Sequence, residues 1–357
     1  VITVTKPYLP DLNTYQGYIQ AIFERRWLTN FGPLVNELEE KITQFTGVPN
    51  LYLGNGTIAI QLAIKALGIT GEVITTPFSY VATTSSVLWE GCTPVFADIS
   101  PDTCNIDPSA VEKCITPATT AILATHVYGI PCDVERLEQI ALKHGLKVIY
   151  DGAHAFGVRY KGKSLLAYGD MTTCSYHATK LFHTVEGGGV FSTKPEVLKQ
   201  AAYMRNFGHE GPEDFVCVGI NAKNSEFHAA MGLSVLPDVP EIIQKREQIA
   251  GQYKEKLKGL SLGFPKIPEG TTYNFAYFPI FFPDEASLLR VKQALEGHYI
   301  STRRYFYPSL NNLRYLTHKQ PCPVAEDISL RVLCLPMYPD LKKEEVDLIA
   351  NLVRKFL

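Results

Sequence analysis

Residues 120–151 read TAILATHVYGIPCDVERLEQIALKHGLKVIYD, and the fold turns on this stretch. It opens with a β-rich apolar run, Thr120–Thr125, and closes with another, Leu146–Tyr150. Between them lies Val134–His144, whose apolar residues recur at helical spacing behind Asp133, a residue type that caps helix N-termini. Parallel neighbours in a sheet need a crossover of about this length, so the stretch predicts one βαβ unit.

The same alternation extends in both directions from residue 50 to 193. Further strands are expected at Glu72–Thr76, Pro94–Asp98, Met171–Tyr176 and Gly189–Ser192, with helices at Ile58–Leu67 and Val81–Trp89. This is the pattern of an α/β domain built on a mostly parallel sheet. The last two strands are joined too closely for a helical crossover, which predicts one antiparallel member. Upstream, Pro33 is placed to begin a helix carrying Leu34, Leu38, Ile42 and Phe45. Past residue 236 the texture changes to a long amphipathic helix, Glu241–Leu257, then Pro- and Tyr-rich strands and loops. Helices at Glu285–Glu296 and Lys342–Phe356 complete a smaller α+β unit. The expected division is 1–236, an N-terminal arm with the large domain, and 237–357, the small C-terminal domain.

Composition narrows the class. The chain has 357 residues, 46% hydrophobic and 20% charged, with a formal net charge of −2. That balance argues against a nucleic-acid binder relying on a broad basic surface. No apolar run approaches the ~18 residues of a membrane helix, and the start is not patterned as a signal peptide. Eight cysteines are scattered, without a CxxC pair or zinc-like Cys/His spacing, and read as reduced thiols of a cytoplasmic protein with no metal site. No P-loop is present, and no GxGxxG stands in a first βαβ unit.

In an open α/β sheet ligands sit beyond the carboxyl ends of the strands. The residues expected there are Phe78, His126, Asp151, His154, Ser175, His177 and Lys180. Each has a plainer reading: Asp151 caps a turn, Phe78 packs in the core, His126 is a core histidine, and Lys180 is a solvated surface group. Together a lysine, a carboxylate and an aromatic suit pyridoxal phosphate (PLP). Lysine supplies a Schiff base, the carboxylate keeps the ring nitrogen protonated, and an aromatic face covers the ring. Gly54-Asn-Gly-Thr57, just before a helix, offers a seat for the phosphate.

These motifs, with Thr76-Pro-Phe-Ser-Tyr-Val-Ala-Thr83, Asp151-Gly-Ala-His-Ala-Phe-Gly157, Ser175-Tyr-His-Ala-Thr-Lys180, Glu186-Gly-Gly-Gly189 and Gly219-Ile-Asn-Ala-Lys223, resemble the DegT/DnrJ-type nucleotide-sugar aminotransferases. Trp27-Leu-Thr-Asn-Phe-Gly-Pro33, Arg303-Arg-Tyr-Phe-Tyr-Pro308 and Leu335-Pro-Met-Tyr-Pro339 extend the likeness nearly end to end. The resemblance implies the type I PLP-dependent aminotransferase fold. It implies that Lys180 is the Schiff-base lysine and proton shuttle, that Asp151 pairs with the pyridinium nitrogen, and that His154 sits beside the ring oxygen. Phe78 is expected to stack on the ring, and Gly56, Thr57 and Ser175 to hold the phosphate. Asn221 matches a residue that reaches the phosphate from the other subunit, so a homodimer with shared sites is implied. Lys223 stands where the family's pattern has arginine.

Within the family, Ser-Tyr-His-Ala-Thr-Lys-Leu-Phe-His-Thr-Val-Glu-Gly-Gly resembles members that aminate C4 of a dTDP-4-keto-6-deoxyhexose. The implied reaction takes the amino group from L-glutamate to dTDP-4-keto-6-deoxyglucose, giving dTDP-4-amino-4,6-dideoxyglucose for surface-polysaccharide (O-antigen) synthesis. His183 and Glu186 are candidates for sensing the sugar, and Arg303, Arg304, Tyr305 and Tyr307 for gripping the nucleotide diphosphate. Period-two alternation leaves the last four equally readable as a charged strand with aromatics packed inward. The alternatives are amination at C3, a UDP- or GDP-linked keto sugar, another PLP reaction on the same fold, and a non-catalytic PLP-binding regulator.

Overall fold

The computed structural model describes residues 1–317 and 319–357. Its main sheet contains β1 (Asn50–Leu53), β2 (Glu72–Thr75), β3 (Thr93–Phe96), β4 (Thr119–Thr125) and β5 (Lys147–Asp151). A short hairpin, β6 (Arg159–Tyr160) and β7 (Lys163–Ser164), precedes the last two members, β8 (Met171–Ser175) and β9 (Gly188–Phe191). The order across the sheet is β1-β9-β8-β5-β4-β2-β3. β8, β5, β4, β2 and β3 pair in parallel, whereas β9 runs antiparallel to both its neighbours. The single antiparallel member expected from the short β8–β9 connection is therefore β9.

Consecutive strand residues face opposite sides, and both sides are apolar. Val73, Leu123 and Ile149 pack with the helix Gly56–Ala66 on one face. Ile74, Ile122 and Val148 pack with the helix Val134–His144 on the other. Burial on both faces is what a mostly parallel sheet requires. Asp133 caps the second helix, its carboxylate accepting from the Arg136 N–H at 3.2 Å.

The sequence pattern does not announce β1. It is four residues long, and its place depends on pairing with β9. Being antiparallel to β9, it ends at the same edge as β2, β4, β5 and β8, and so delivers Gly54-Asn-Gly-Thr57 to that edge.

The later part of the chain adds β10 (Thr271–Thr272), which extends the β6–β7 hairpin, and the pair β11 (Phe278–Phe281) and β12 (Val332–Leu335). A second core gathers Phe278, Ile280, Leu333 and Leu335 under the helices Glu285–Gly297 and Lys343–Phe356. The helix Val239–Lys256 spans both cores: Val239 and Ile242 pack with the N-terminal helices, Ile249 and Tyr253 with the second core. No helix among the described residues is long and apolar enough to cross a membrane.

Candidate active site

The carboxyl edge of the sheet opens into a cavity of about 320 Å³, near the lower end of volumes that hold small molecules. The turn after β1 contributes Asn55, Gly56 and Thr57, and the turn after β2 contributes Ser79 and Tyr80. Asp151 ends β5, Ser175 ends β8, and Lys180 follows. Arg303, Tyr305 and Phe306 close the cavity from the C-terminal part of the chain.

Asp151 is buried and held at both oxygens. Thr83 Oγ1 donates to Oδ2 at 2.8 Å, and the Ala153 N–H donates to Oδ1 at 3.0 Å. Thr83 is linked through Ser79 to Thr125 by hydroxyl contacts of 2.8 and 2.9 Å. Burial raises the Asp151 carboxyl above the usual range, against the opposing pull of Thr83, Ala153 and Lys180. Such a carboxylate favours a cationic partner placed against it. Lys180 is half-buried, and desolvation holds its ammonium below the ordinary lysine value while Tyr305 and Asp151 oppose the shift. Its Nζ donates to Tyr277 Oη at 3.3 Å. A desolvated lysine is more often unprotonated, as a carbonyl-attacking nitrogen must be. His154 Nδ1 accepts from the Tyr128 N–H at 3.2 Å, which makes Nε2 the protonated nitrogen, and burial keeps the ring neutral.

The turn after β1 is built for an anion. Asn55 caps the helix Gly56–Ala66 through the Ile58 N–H at 2.8 Å. The N–H groups of Gly56 and Thr57, in the same first turn, have no partner within the helix. Two glycines bring the pieces together: a Cβ on Gly56 would lie 2.8 Å from Ser175 Cβ, and one on Gly188 would collide with the Asn55 carbonyl. Free amides at a helix N-terminus, with the Thr57 and Ser175 hydroxyls, are the kind of donors that suit a phosphate. A lysine amine, a buried carboxylate and these donors in one cavity fit PLP.

Several expectations need correction. Phe78 does not line the cavity; it is fully buried, with Tyr128 and Phe306 edge-on at ring distances of 6.3 and 5.5 Å. Tyr80, two residues on and half-exposed, lines the cavity instead. His183 is also buried outside the cavity. Its Nε2–H donates to the Tyr8 carbonyl at 2.6 Å and its Nδ1 accepts from the Val185 N–H at 3.2 Å, so both ring nitrogens serve the fold. The Arg303–Tyr307 run divides, though not by alternation, since Phe306 lines the cavity and Tyr307 does not. Arg303 and Tyr305 line the cavity, but Arg304 binds Glu285 and the Leu330 carbonyl, both at 2.8 Å, with its guanidinium 3.7 Å from the centre of the Tyr307 ring. Glu186 lines the cavity, and so does His177, for which the sequence suggests no role. Asn221 is exposed, bridges to Asn206 and does not line its own chain's cavity. His126 is a core residue stacked on Tyr150 at 4.5 Å.

Sequence reasoning missed Tyr80, Thr83 and Tyr277. The first two lie three residues apart at the start of the helix Val81–Trp89, a spacing that puts them on one helical face. Tyr277 carries no local signal, because only the packing of the later chain brings it to Lys180.

Known proteins resemble this chain along nearly its whole length. The dTDP-4-amino-4,6-dideoxy-D-glucose transaminase of Shigella dysenteriae is 41% identical over 361 residues, covering 99% of this chain and 98% of its own. The GDP-perosamine synthase of Vibrio cholerae is 30% identical, covering 98% of each. Among solved structures, DesI, crystallised in the presence of its TDP-sugar product, superposes with a TM-score of 0.94 at 33% identity, covering 99% of this chain and 92% of its own. Residues 12–354 match the model of the DegT/DnrJ/EryC1/StrS aminotransferase family, and the chain belongs to that family of PLP-dependent enzymes.

Proposed function

We propose that the protein transfers the amino group of L-glutamate to C4 of dTDP-4-keto-6-deoxyglucose, giving dTDP-4-amino-4,6-dideoxyglucose. In this reading it works in the cytoplasm as a homodimer with shared sites, in surface-polysaccharide (O-antigen) synthesis. The observation that carries the sugar assignment is the end-to-end likeness to a dTDP-sugar transaminase, with the GDP-sugar relative standing further off. PLP, when bound, supplies an electrophilic carbonyl and an electron sink. Lys180 would provide the amine that holds the cofactor, and its Nζ would be placed to carry a proton. Asp151 holds a proton at the ring nitrogen, with Thr83 and Ala153 fixing its two oxygens. Gly56, Thr57 and Ser175 hold the phosphate, and Arg303 offers a fork of N–H donors to an anionic substrate group.

The deciding experiment is a panel of dTDP-, UDP- and GDP-linked keto sugars with L-glutamate, followed by product analysis. The expected product carries its amino group at C4 and forms preferentially from the dTDP sugar. An amino group at C3, or preference for another nucleotide, would overturn the sugar assignment.

A further inference from the structure

β8 and β9 continue their pairing beyond the regular strands. Ser175 lies opposite Gly188, the Tyr176 N–H donates to the Gly187 carbonyl at 2.8 Å, and the Ala178 N–H donates to the Val185 carbonyl at 2.7 Å. This register puts His177 directly across from Glu186, as a cross-strand pair whose side chains share one face.

The pair is fixed from behind. The Glu186 carbonyl accepts from Thr184 Oγ1 and from Asn224 Nδ2, both at 2.9 Å. The Thr179 backbone N–H points at His177 Nδ1 at 3.2 Å. A backbone amide only donates, so Nδ1 is the unprotonated nitrogen and Nε2 carries the hydrogen. That Nε2 lies 3.6 Å from Glu186 Oε1, beyond hydrogen-bond length. The donor and the acceptor stand side by side in the cavity wall, and each keeps its capacity for a ligand.

We propose that His177 and Glu186 together read a hydroxyl of the hexose, so that His177 is a specificity-determining residue for the sugar. A hydroxyl accepts one hydrogen bond and donates another, so it matches an N–H beside a carboxylate. In a 4-keto-6-deoxyhexose only the C2 and C3 hydroxyls are available for this role. L-Glutamate has no hydroxyl, so the pair acts in one half-reaction and not the other. The proposal rests on the nucleotide-sugar reading above.

The test measures the two half-reactions of the holoenzyme separately, with L-glutamate and with the nucleotide keto sugar that the wild type turns over best. His177→Phe should lower kcat/KM for the sugar about tenfold more than for glutamate, the usual loss for one hydrogen bond to a substrate. His177→Gln, which restores an N–H donor, should recover part of that loss. Calorimetric binding of the amino-sugar product should weaken in parallel. On sugar analogues lacking the C2 or the C3 hydroxyl, one of the two should abolish the variant's extra loss. Equal losses in both half-reactions, or an extra loss persisting on both deoxy analogues, would overturn the proposal. A wild type that prefers a UDP- or GDP-linked keto sugar would overturn the dTDP assignment, while the variants still decide the role of the pair.

Discussion

Tyr80 and Phe78 sit two residues apart and differ in what surrounds them, so they separate cofactor contact from core packing. Tyr80→Ala removes an aromatic wall of the cavity from a half-exposed position. It should weaken PLP retention roughly tenfold, in line with the loss of one aromatic contact, and leave the cofactor-free protein's melting temperature almost unchanged. Phe78→Ala empties a site between Tyr128 and Phe306 and should cost ~3–5 kcal/mol in denaturant unfolding. Reversed phenotypes would return the ring-covering role to Phe78. His126 gives a pH test. Burial pushes its pKa down to about 3, below the ~6.5 of an unfolded chain. On acidification the unfolded state therefore takes up the proton first. The stability contribution is complete above pH ~6.5 and drains toward pH 3, by up to ~1.4 kcal/mol per unit. His154 acts with the same sign. Thermal melts of His126→Phe should show a flatter decline between pH 6 and 4 than the wild type, whatever its absolute stability. Parallel declines would mean that His126 takes no part in acid unfolding.

At the scale of elements, the seat for the phosphate depends on β9 lying against the turn that follows β1. A Cβ on Gly188 would collide with the Asn55 carbonyl and carbon and reach the Gly56 nitrogen, all backbone atoms that side-chain rotation cannot move aside. Gly188→Ala should cost ~1–3 kcal/mol and weaken PLP binding with it. Gly251 lies inside the helix Val239–Lys256, where an added Cβ would meet nothing within 4 Å, and Gly251→Ala should stabilise by ~0.5–1 kcal/mol. Denaturant titrations of the two variants should therefore move in opposite directions; a neutral Gly188→Ala would show that the turn shifts freely. The same elements explain what the sequence disclosed. The βαβ unit at 120–151 is local, with its period and cap written in adjacent residues, and so are the Lys180 and Asp151 motifs. β1 is legible only through its distant partner β9. His183 lies three residues past Lys180, yet its ring turns back to the Tyr8 carbonyl, 175 residues away in the chain. In the Arg303–Tyr307 run, position alone does not reveal which residues Glu285 and the Leu330 carbonyl hold away from the cavity.

At the scale of the whole molecule, Asn221 is the residue that the single chain leaves without a site. It lies at the end of a loop that exposes Phe207, Phe215, Val216, Val218 and Ile220, a concentration of apolar surface suited to cover by another subunit. Asn206 bridges to Asn221 and also accepts from Lys223 Nζ at 2.7 Å, so the loop is braced at its base. If two copies pair through this surface and Asn221 reaches the partner's phosphate seat, each active site draws residues from both chains. Asn221→Asp would place a negative charge beside the phosphate and should inactivate the homodimer, as Lys180→Ala does by removing the covalent anchor. In a mixed dimer of these two variants, one site receives both defects. The other combines an intact Lys180 with an intact Asn221. Random reassociation should then restore about a quarter of wild-type activity, because roughly half the dimers are mixed and each carries one intact site. Activity should rise with the fraction of mixed dimers, quantified by native mass spectrometry of differently tagged subunits. If every site took its Asn221 from its own chain, the mixed dimer would carry one defect in each site. Verified mixed dimers without activity would therefore place Asn221 in its own subunit's site and end the case for sharing.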